Sequence, residues 1–307
     1  MQRFILRRLL SMPLVMVAIT ALIFGLSQQA GDPRYLYLSP YTKMSPAEWE
    51  AIGRSMGLDR PLVVRYWLWL SKAARGDFGE SIAYHVNSLD LIKRSLRATL
   101  ELAAVSFAFS MGIGIPLGVL SAVSRGSIWD YVARSFALLG QSVPPFWLAI
   151  VMILVFAVEL GWLPTSRRGG WTHYVLPVVT LGWVASAPLL RLTRSSMLEV
   201  LDSEYVKFAR AKGVGAWATI WKHAFRNALV TPLTYAAILM ASFITGAVVI
   251  ETVFAWPGIG RLSVQAALNN DFPLITGLAL FFSGLFLLAS LLSDIAYAAI
   301  DPRIRYT

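Results

Sequence analysis

Six stretches of the chain contain no Asp, Glu, Lys or Arg: Leu9 to Gly31, Leu102 to Ser124, Ser135 to Val158, Gly169 to Leu190, Asn227 to Ile250 and Phe272 to Ser293. Each is 22 to 24 residues long, and a helix needs ~20 apolar residues to cross a hydrocarbon core ~30 Å thick. Backbone polar groups in lipid have to be satisfied within the segment, so each window reads as a spanning α-helix. The expected fold class is an all-α membrane protein with six transmembrane helices. With 57% hydrophobic and 14% charged residues among 307, the chain is too apolar for a soluble domain.

The formal charge of +10 is spread between these windows rather than gathered on one soluble face, which argues against nucleic acid as a partner. Its use is topological. With both termini in the cytoplasm, Arg3, Arg7, Arg8, Arg125, Arg134, the seven basic residues from Arg191 to Arg226, and Arg303 and Arg305 lie inside. Short outer loops keep Arg167, Arg168 and Arg261. The first outer loop, residues 32–101, also holds ten basic residues, but it exceeds the ~60 residues over which the charge rule operates. The organisation is therefore an N-terminal segment with the first helix (1–31), an external loop domain (32–101) and a core of five further helices (102–307) with a cytoplasmic loop at 191–229.

The chain has no cysteine, so no disulfide staples the outer loop and no thiolate chemistry is available. The apolar run after Arg8 is longer than a signal-peptide core, and Gln28-Gln29-Ala30 is a poor cleavage site, so the first helix reads as uncleaved. In the outer loop, Ser45-Pro46-Ala47-Glu48 is a capping box and Gly57 closes the helix it opens. A second short helix from Pro61 to Ala74 places Val63, Trp67, Leu70 and Ala74 on one side, as for a helix lying on a membrane or on its own domain.

The second window carries Gly112, Gly114, Pro116 and Gly118, a density of small residues that lets neighbouring backbones approach closely. The third carries Gln141-Ser142-Val143-Pro144-Pro145-Phe146-Trp147, where adjacent prolines leave carbonyls without helical donors. Lipid cannot satisfy them, so this kink faces the bundle interior or a pathway, and Gln141, Ser142 and Pro144 are the candidate path residues. Trp162 and Trp171 suit an outer aromatic belt. His173 has no second ligand-type residue nearby and reads as a solvated or interfacial residue.

Between the fourth and fifth windows lies a polar, basic island, Ser203 to Leu229. Ser203 is placed to cap a helix whose first turn carries Glu204, and Gly213 suits the residue after its last turn. On that helix Tyr205, Phe208, Ala209 and Lys212 share one face, with Ala211 alongside, an aromatic-and-small surface with no core of this chain to cover it. Any polytopic protein has a positive cytoplasmic loop, so the physics of the island alone leaves ordinary topology open. Beyond it, Trp217, Ile220, Trp221, Ala224, Phe225 and Ala228 recur at helical spacing, as in an interfacial helix entering the fifth span.

Glu204, the Ala-Arg-Ala-Lys-Gly run ending at Gly213, and the Arg226-Asn227-Ala228-Leu229 exit resemble the cytoplasmic "EAA" loop of ATP-binding-cassette importer permeases of type I. The dipeptide, oligopeptide and nickel branch, in its dipeptide permease B form, is the closer likeness. Tyr205 and Val206 stand where the two alanines of the name-giving pattern would be. The likeness extends to Gly57 to Pro61, Arg75 to Gly79, the Gly161-Trp162-Leu163-Pro164 turn, the Glu251 to Arg261 run that ends with an interfacial Trp256 before a helix stop at Pro257 and Gly258, and the Asp301-Pro302-Arg303-Ile304-Arg305 ending. It thus covers essentially the whole chain. The resemblance implies a permease subunit in a prokaryotic inner membrane. Its partners would be a second related permease, two ATPase subunits and an external solute-binding protein, with lipid around it. The loop helix, Ser203 to Gly213, would seat in the ATPase, and ATP and Mg would be held by the partners, with no cofactor on this chain.

No catalytic set is visible: there is no GxSxG, no HExxH and no Walker A loop. An ion-coupled secondary transporter is the alternative from another class, but Glu101, Glu159, Glu251 and Asp294 all stand at window edges, leaving no relay at depth. The expected cargo is a di- or oligopeptide, with nickel chelates, glutathione or oligosaccharides as the alternatives.

Overall fold

The computed structural model describes residues 2–29, 34, 45–55 and 57–300; the Asp301 to Arg305 ending lies outside them. Helix is the regular structure throughout the described residues, apart from an isolated bridge between Glu80 and Asn87. The chain divides into two compact units, one built on residues 99–257 and the other on residues 2–98 and 258–287. Three helices among the described residues are long and apolar enough to cross a membrane: Ser88–Val123, Thr172–Leu201 and Phe272–Leu292. A fourth crossing arises if the bent pair Ile128–Ser142 and Pro145–Glu159 counts as one, and Leu10–Leu26 and Val230–Met240 are shorter apolar helices.

The unit of residues 2–98 and 258–287 contains α1 (Gln2–Gln29), α2 (Pro46–Ser55), α3 (Leu62–Ala73) and the first turns of α4 (Ser88–Val123). The capping box forms: Ser45 N–H donates to Glu48 Oε2 at 2.8 Å and Glu48 N–H to Ser45 Oγ at 3.3 Å. The face of α3 read from sequence is not its packing face, since Val63 and Trp67 are exposed while Tyr66 and Ala73 are buried. The Tyr66 hydroxyl explains the rotation. It donates to the Val17 carbonyl at 3.0 Å and pairs with Thr20 Oγ1 at 2.9 Å, and its ring meets Phe24 edge-on at 5.6 Å, so the phenol is buried with its polar end satisfied.

The unit built on residues 99–257 is organised by α7 (Thr172–Leu201), which packs against α5 (Ile128–Ser142) and α6 (Pro145–Met152). It also packs against the later helices α10 (Arg226–Ala228), α11 (Val230–Gly246) and α12 (Val248–Val253). Small residues make these contacts close. A Cβ on Gly118 of α4 would lie 2.6 Å from Thr193 Cβ and 2.8 Å from the Leu190 carbonyl, and one on Gly114 would lie 2.9 Å from the Ser186 carbonyl. Gly112 has open space around it, so two of the three glycines of that window serve packing.

The third window is broken rather than kinked. Val143 is extended, α6 starts at Pro145, and the two helices are bent by 105°. Each proline has a fixed φ and no N–H, and the residue before a proline avoids the α region, which together place the break at Val143-Pro144-Pro145. α6 continues as a π-helical stretch, Ile153–Glu159.

α12 stops three residues earlier than read from sequence, with Phe254 at its C-cap and Ala255 left-handed at φ +49°. The Trp256 N–H reaches the Glu251 carbonyl at 2.7 Å and the Ala255 N–H the Thr252 carbonyl at 3.2 Å, a Schellman closure with alanine where glycine is usual. Trp256 is consequently not interfacial: it is fully buried, with its ring edge-on to Tyr174 at 4.7 Å.

Candidate functional site

The loop helix α8 spans Glu204–Ala211, with Ser203 at its N-cap and Lys212 at its C-cap. Ser203 has the extended conformation of a cap (φ −72°, ψ 152°), but its hydroxyl turns back and donates to the Val200 carbonyl at 2.5 Å. Of the orphan N–H groups of the first turn, that of Val206 is met by the Ser203 carbonyl, which also accepts the first regular helical bond from Lys207, while Glu204 sits over the positive end of the helix. Glu204 also holds Lys207 at 2.8 Å, an exposed pair that raises the affinity of Lys207 for its proton.

At the other end the Gly213 N–H reaches the Arg210 carbonyl at 2.9 Å and the Val214 N–H the Ala209 carbonyl at 3.2 Å, with Gly213 at φ +81°. This is a Schellman closure in which only a residue at ease with positive φ avoids strain.

Of the face read from sequence, Phe208 is 66% and Tyr205 41% exposed, Ala211, Lys212 and Gly213 are exposed and Ala209 half-buried. The two residues that replace the alanines of the "EAA" pattern anchor the helix. Val206 is fully buried, and the Tyr205 hydroxyl donates to the His223 carbonyl at 3.0 Å while accepting from Asn227 Nδ2 at 2.8 Å.

The partner of that clamp is the segment formed by α9 (Ala216–Ala218), a π-helical stretch Thr219–Phe225 and α10. Its inner face, Ala224 and Ala228, joins Val119 and Ala122 of α4 and Met197 of α7 in one buried cluster, with Ile220 and Phe225 packed on it. Trp217 and Trp221 stay exposed, with Trp221 tilted against Trp217 at 5.4 Å and edge-on to Phe225 at 5.0 Å, which suits an interfacial segment. α8 is thus tied, through the Tyr205 phenol, to a layer that rests on α4 and α7.

A second polar assembly, absent from the sequence reading, holds the same end of those helices. Asp130 is buried and accepts from Arg194 Nε at 2.9 Å, Arg194 Nη2 at 3.1 Å, Ser121 Oγ at 2.5 Å and the Gly126 N–H at 3.0 Å. It closes the turn between α4 and α5 and ties both to α7. Asp130 precedes the apolar window, and the Arg194 guanidinium holds its carboxyl far below the usual carboxylate range. The one signal in the sequence is an isolated acid in a basic cytoplasmic loop.

Of the candidate path residues, Gln141, Ser142 and Pro144 are all exposed at the α5–α6 break. Gln141 lines a groove between α5 and α7, where its Oε1 accepts from Arg191 Nη1 at 2.6 Å. His173 is half-buried, and no group of three or more His, Asp or Glu that could hold a metal occurs among the described residues.

Comparison with known proteins identifies the family. Residues 114–306 match the family described as binding-protein-dependent transport system inner membrane component, and residues 1–103 match its N-terminal companion. The chain is 36% identical over 307 residues to the glutathione transport system permease protein GsiC of Escherichia coli (strain K12), with 100% of both chains covered. It is 40% identical over 315 residues to a putative peptide transport system permease protein of Brucella abortus (strain 2308), again with 100% of both covered. Among solved structures, an inward-facing form of the MetNI methionine ABC transporter matches with a TM-score of 0.57 at 21% identity, covering 69% of this chain and 96% of that one. An amino acid ABC transporter with histidines matches with a TM-score of 0.56 at 15% identity, covering 68% and 94%. These two show the fold.

Proposed function

The chain belongs to the family of binding-protein-dependent transport system inner membrane components, and from that premise we propose that it is the peptide-type permease subunit whose α8 receives the ATPase stroke. Membership makes it a multi-pass, non-catalytic subunit of an ABC importer and sets the ion-coupled transporter aside. ATPase and binding-protein partners follow from the family. The finer assembly is our reading: six spans, a second, different permease, two ATPase subunits holding ATP and Mg, and a binding protein that docks on residues 32–101. Di- and oligopeptides are the proposed cargo. Glutathione, carried by one relative by name, is itself a tripeptide and falls within that class.

The observation that carries the coupling role is the contrast between the residues of α8 that this chain holds and the one that it leaves open. Val206 is fully buried and Tyr205 is clamped, whereas Phe208 stands 66% exposed on a cytoplasmic loop. Fully burying a Phe is worth ~1.5–3 kcal/mol, so a side chain two-thirds open retains up to about 2 kcal/mol for a partner, or ~30-fold in affinity. ATPase subunits titrated against membranes carrying the Phe208→Ala permease should bind about 30-fold more weakly, with the permease still inserted. Unchanged binding would remove α8 from the interface. ATP closure would then tilt α8 and, through the layer on α4 and α7, switch the bundle between outward and inward openings, with Gln141, Ser142 and Pro144 along the path.

A further inference from the structure

The groove between α5 and α7 has a volume of about 770 Å³, within the ~300–1,000 Å³ of small-molecule sites. Three arginines line it, Arg134 from α5 and Arg191 and Arg194 from α7, and no carboxylate does. Their charges are not equivalent. Arg194 is neutralised by Asp130 through both carboxylate oxygens. Arg191 donates to the Gln141 amide, which orients the guanidinium without cancelling its charge. Arg134 lies 5.8 Å over the ring of Tyr131, again a neutral partner. Two cations therefore border the groove without an ion pair of their own among the described residues, since Asp130, one turn before Arg134 on α5, is engaged by Arg194.

Their positions sharpen the point. Arg134 immediately precedes the charge-free window at 135–158 and Arg191 immediately follows the one at 169–190. Gln141, which draws Arg191 inward, lies seven residues along α5 from Arg134, or ~10 Å at 1.5 Å per residue, next to the break before Pro144 and Pro145. Both arginines are solvent-exposed, as long side chains at the ends of apolar windows are, so their charges are open to an anion that enters the groove. A guanidinium fork matches a carboxylate in two parallel hydrogen bonds, and the Ser135 and Ser195 hydroxyls on the same walls add donors. Leu138 and Pro188 supply an apolar wall for a side chain.

We propose that this groove binds the C-terminal carboxylate of a peptide in transit, with Arg191, oriented by Gln141, as the principal partner and Arg134 as the second. The assignment rests on the reading that the path runs past Gln141. It makes the permease itself selective for free-acid peptides, in addition to any selectivity of the binding protein.

The test uses the complete complex in proteoliposomes and compares uptake of one tripeptide as its free acid and as its C-terminal amide. The binding protein is the same in every preparation, so its own preference cancels between variants. Arg191→Gln should lower the acid-to-amide uptake ratio about tenfold, and Arg191→Lys should retain part of it. A parallel probe uses Ser135→Cys, since the chain has no native cysteine: a negatively charged thiol reagent should label it, and loaded binding protein with ATP should slow the labelling. An unchanged ratio in Arg191→Gln with Cys labelling still slowed overturns the carboxylate assignment and leaves the path. Labelling insensitive to loaded binding protein overturns the path reading and this one with it. Equal loss of both peptides in Arg191→Gln makes Arg191 structural and overturns the assignment. Dependence of the Arg191 effect on the fraction of phosphatidylglycerol rather than on the peptide terminus gives the groove to a lipid phosphate, and overturns it as well.

Discussion

Replacing Gly118 by alanine tests the packing of α4 on α7 directly. The added Cβ would sit 2.6 Å from Thr193 Cβ and 2.8 Å from the Leu190 carbonyl, where ordinary contact begins at 3.4 Å. The helices would have to part by roughly 0.8 Å, and neither obstacle is the flexible end of a side chain. Overpacking of this kind costs ~1–3 kcal/mol, and rigid neighbours put it near the upper figure. The gain in helix propensity from Gly to Ala returns ~1 kcal/mol, leaving a net loss of about 2 kcal/mol. Gly112→Ala, on the same helix with open space around it, keeps only the gain. The two variants should therefore differ by about 3 kcal/mol, or ~6–12 °C in Tm for a unit of this size at ~2–4 °C per kcal/mol. Intrinsic-fluorescence melting of the complex in nanodiscs reads this difference. Adding Thr193→Gly to Gly118→Ala should recover only part of the loss, because the Leu190 carbonyl stays in place. Gly118→Ala melting at or above Gly112→Ala would refute the close approach.

Ala255→Gly should raise Tm, since it relieves a left-handed alanine worth ~1 kcal/mol; an unchanged or lower Tm would mean that φ +49° carries no strain. Asp130→Asn should cost about 3 kcal/mol at neutral pH by leaving Arg194 without its anion, seen as a lower melting temperature. Because the folded carboxyl is held low, its contribution is complete above ~4, the unfolded value, and fades as pH falls below that. Wild type should thus lose stability on acidification below pH ~4, and the gap to Asp130→Asn should narrow there. Gly213→Val should leave the subunit in the membrane but lower transport per ATP hydrolysed, since a β-branched residue resists φ +81°; unchanged coupling would count against α8 as the input. The purified subunit alone should hydrolyse no ATP in a phosphate-release assay.

What is legible in the sequence is local grammar. The Ser45–Glu48 box and the Gly213 closure depend on residues three to five apart, so their partners are visible in one line of sequence. Partners further away were not. Arg194 reaches Asp130 across 64 residues and Ser121 across 73, and nothing in the periodicity of α7 singles that arginine out from its basic neighbours. On α3, apolar spacing gave Val63 and Trp67 as a face, yet a tyrosine whose hydroxyl finds Thr20 and Val17 decided the orientation. The preference of tryptophan for interfaces points Trp256 to one. Its burial follows from a helix end at Ala255, hidden because the residue that closes it is not glycine.

The placement of the Tyr205 pin has a mechanical consequence. The hydroxyl grips His223 and Asn227 near the first turn of α8, and the adjacent Val206 is embedded, so that end of the rod is held. Seven residues on, Lys212 is open to solvent at the end of an arm ~10 Å long. A rod pivoted at one end converts a small tilt into its largest displacement at the other. In the proposed coupling, contact made near Phe208 and Lys212 would act with leverage on this pivot, and the Tyr205 hydrogen bonds would carry it inward.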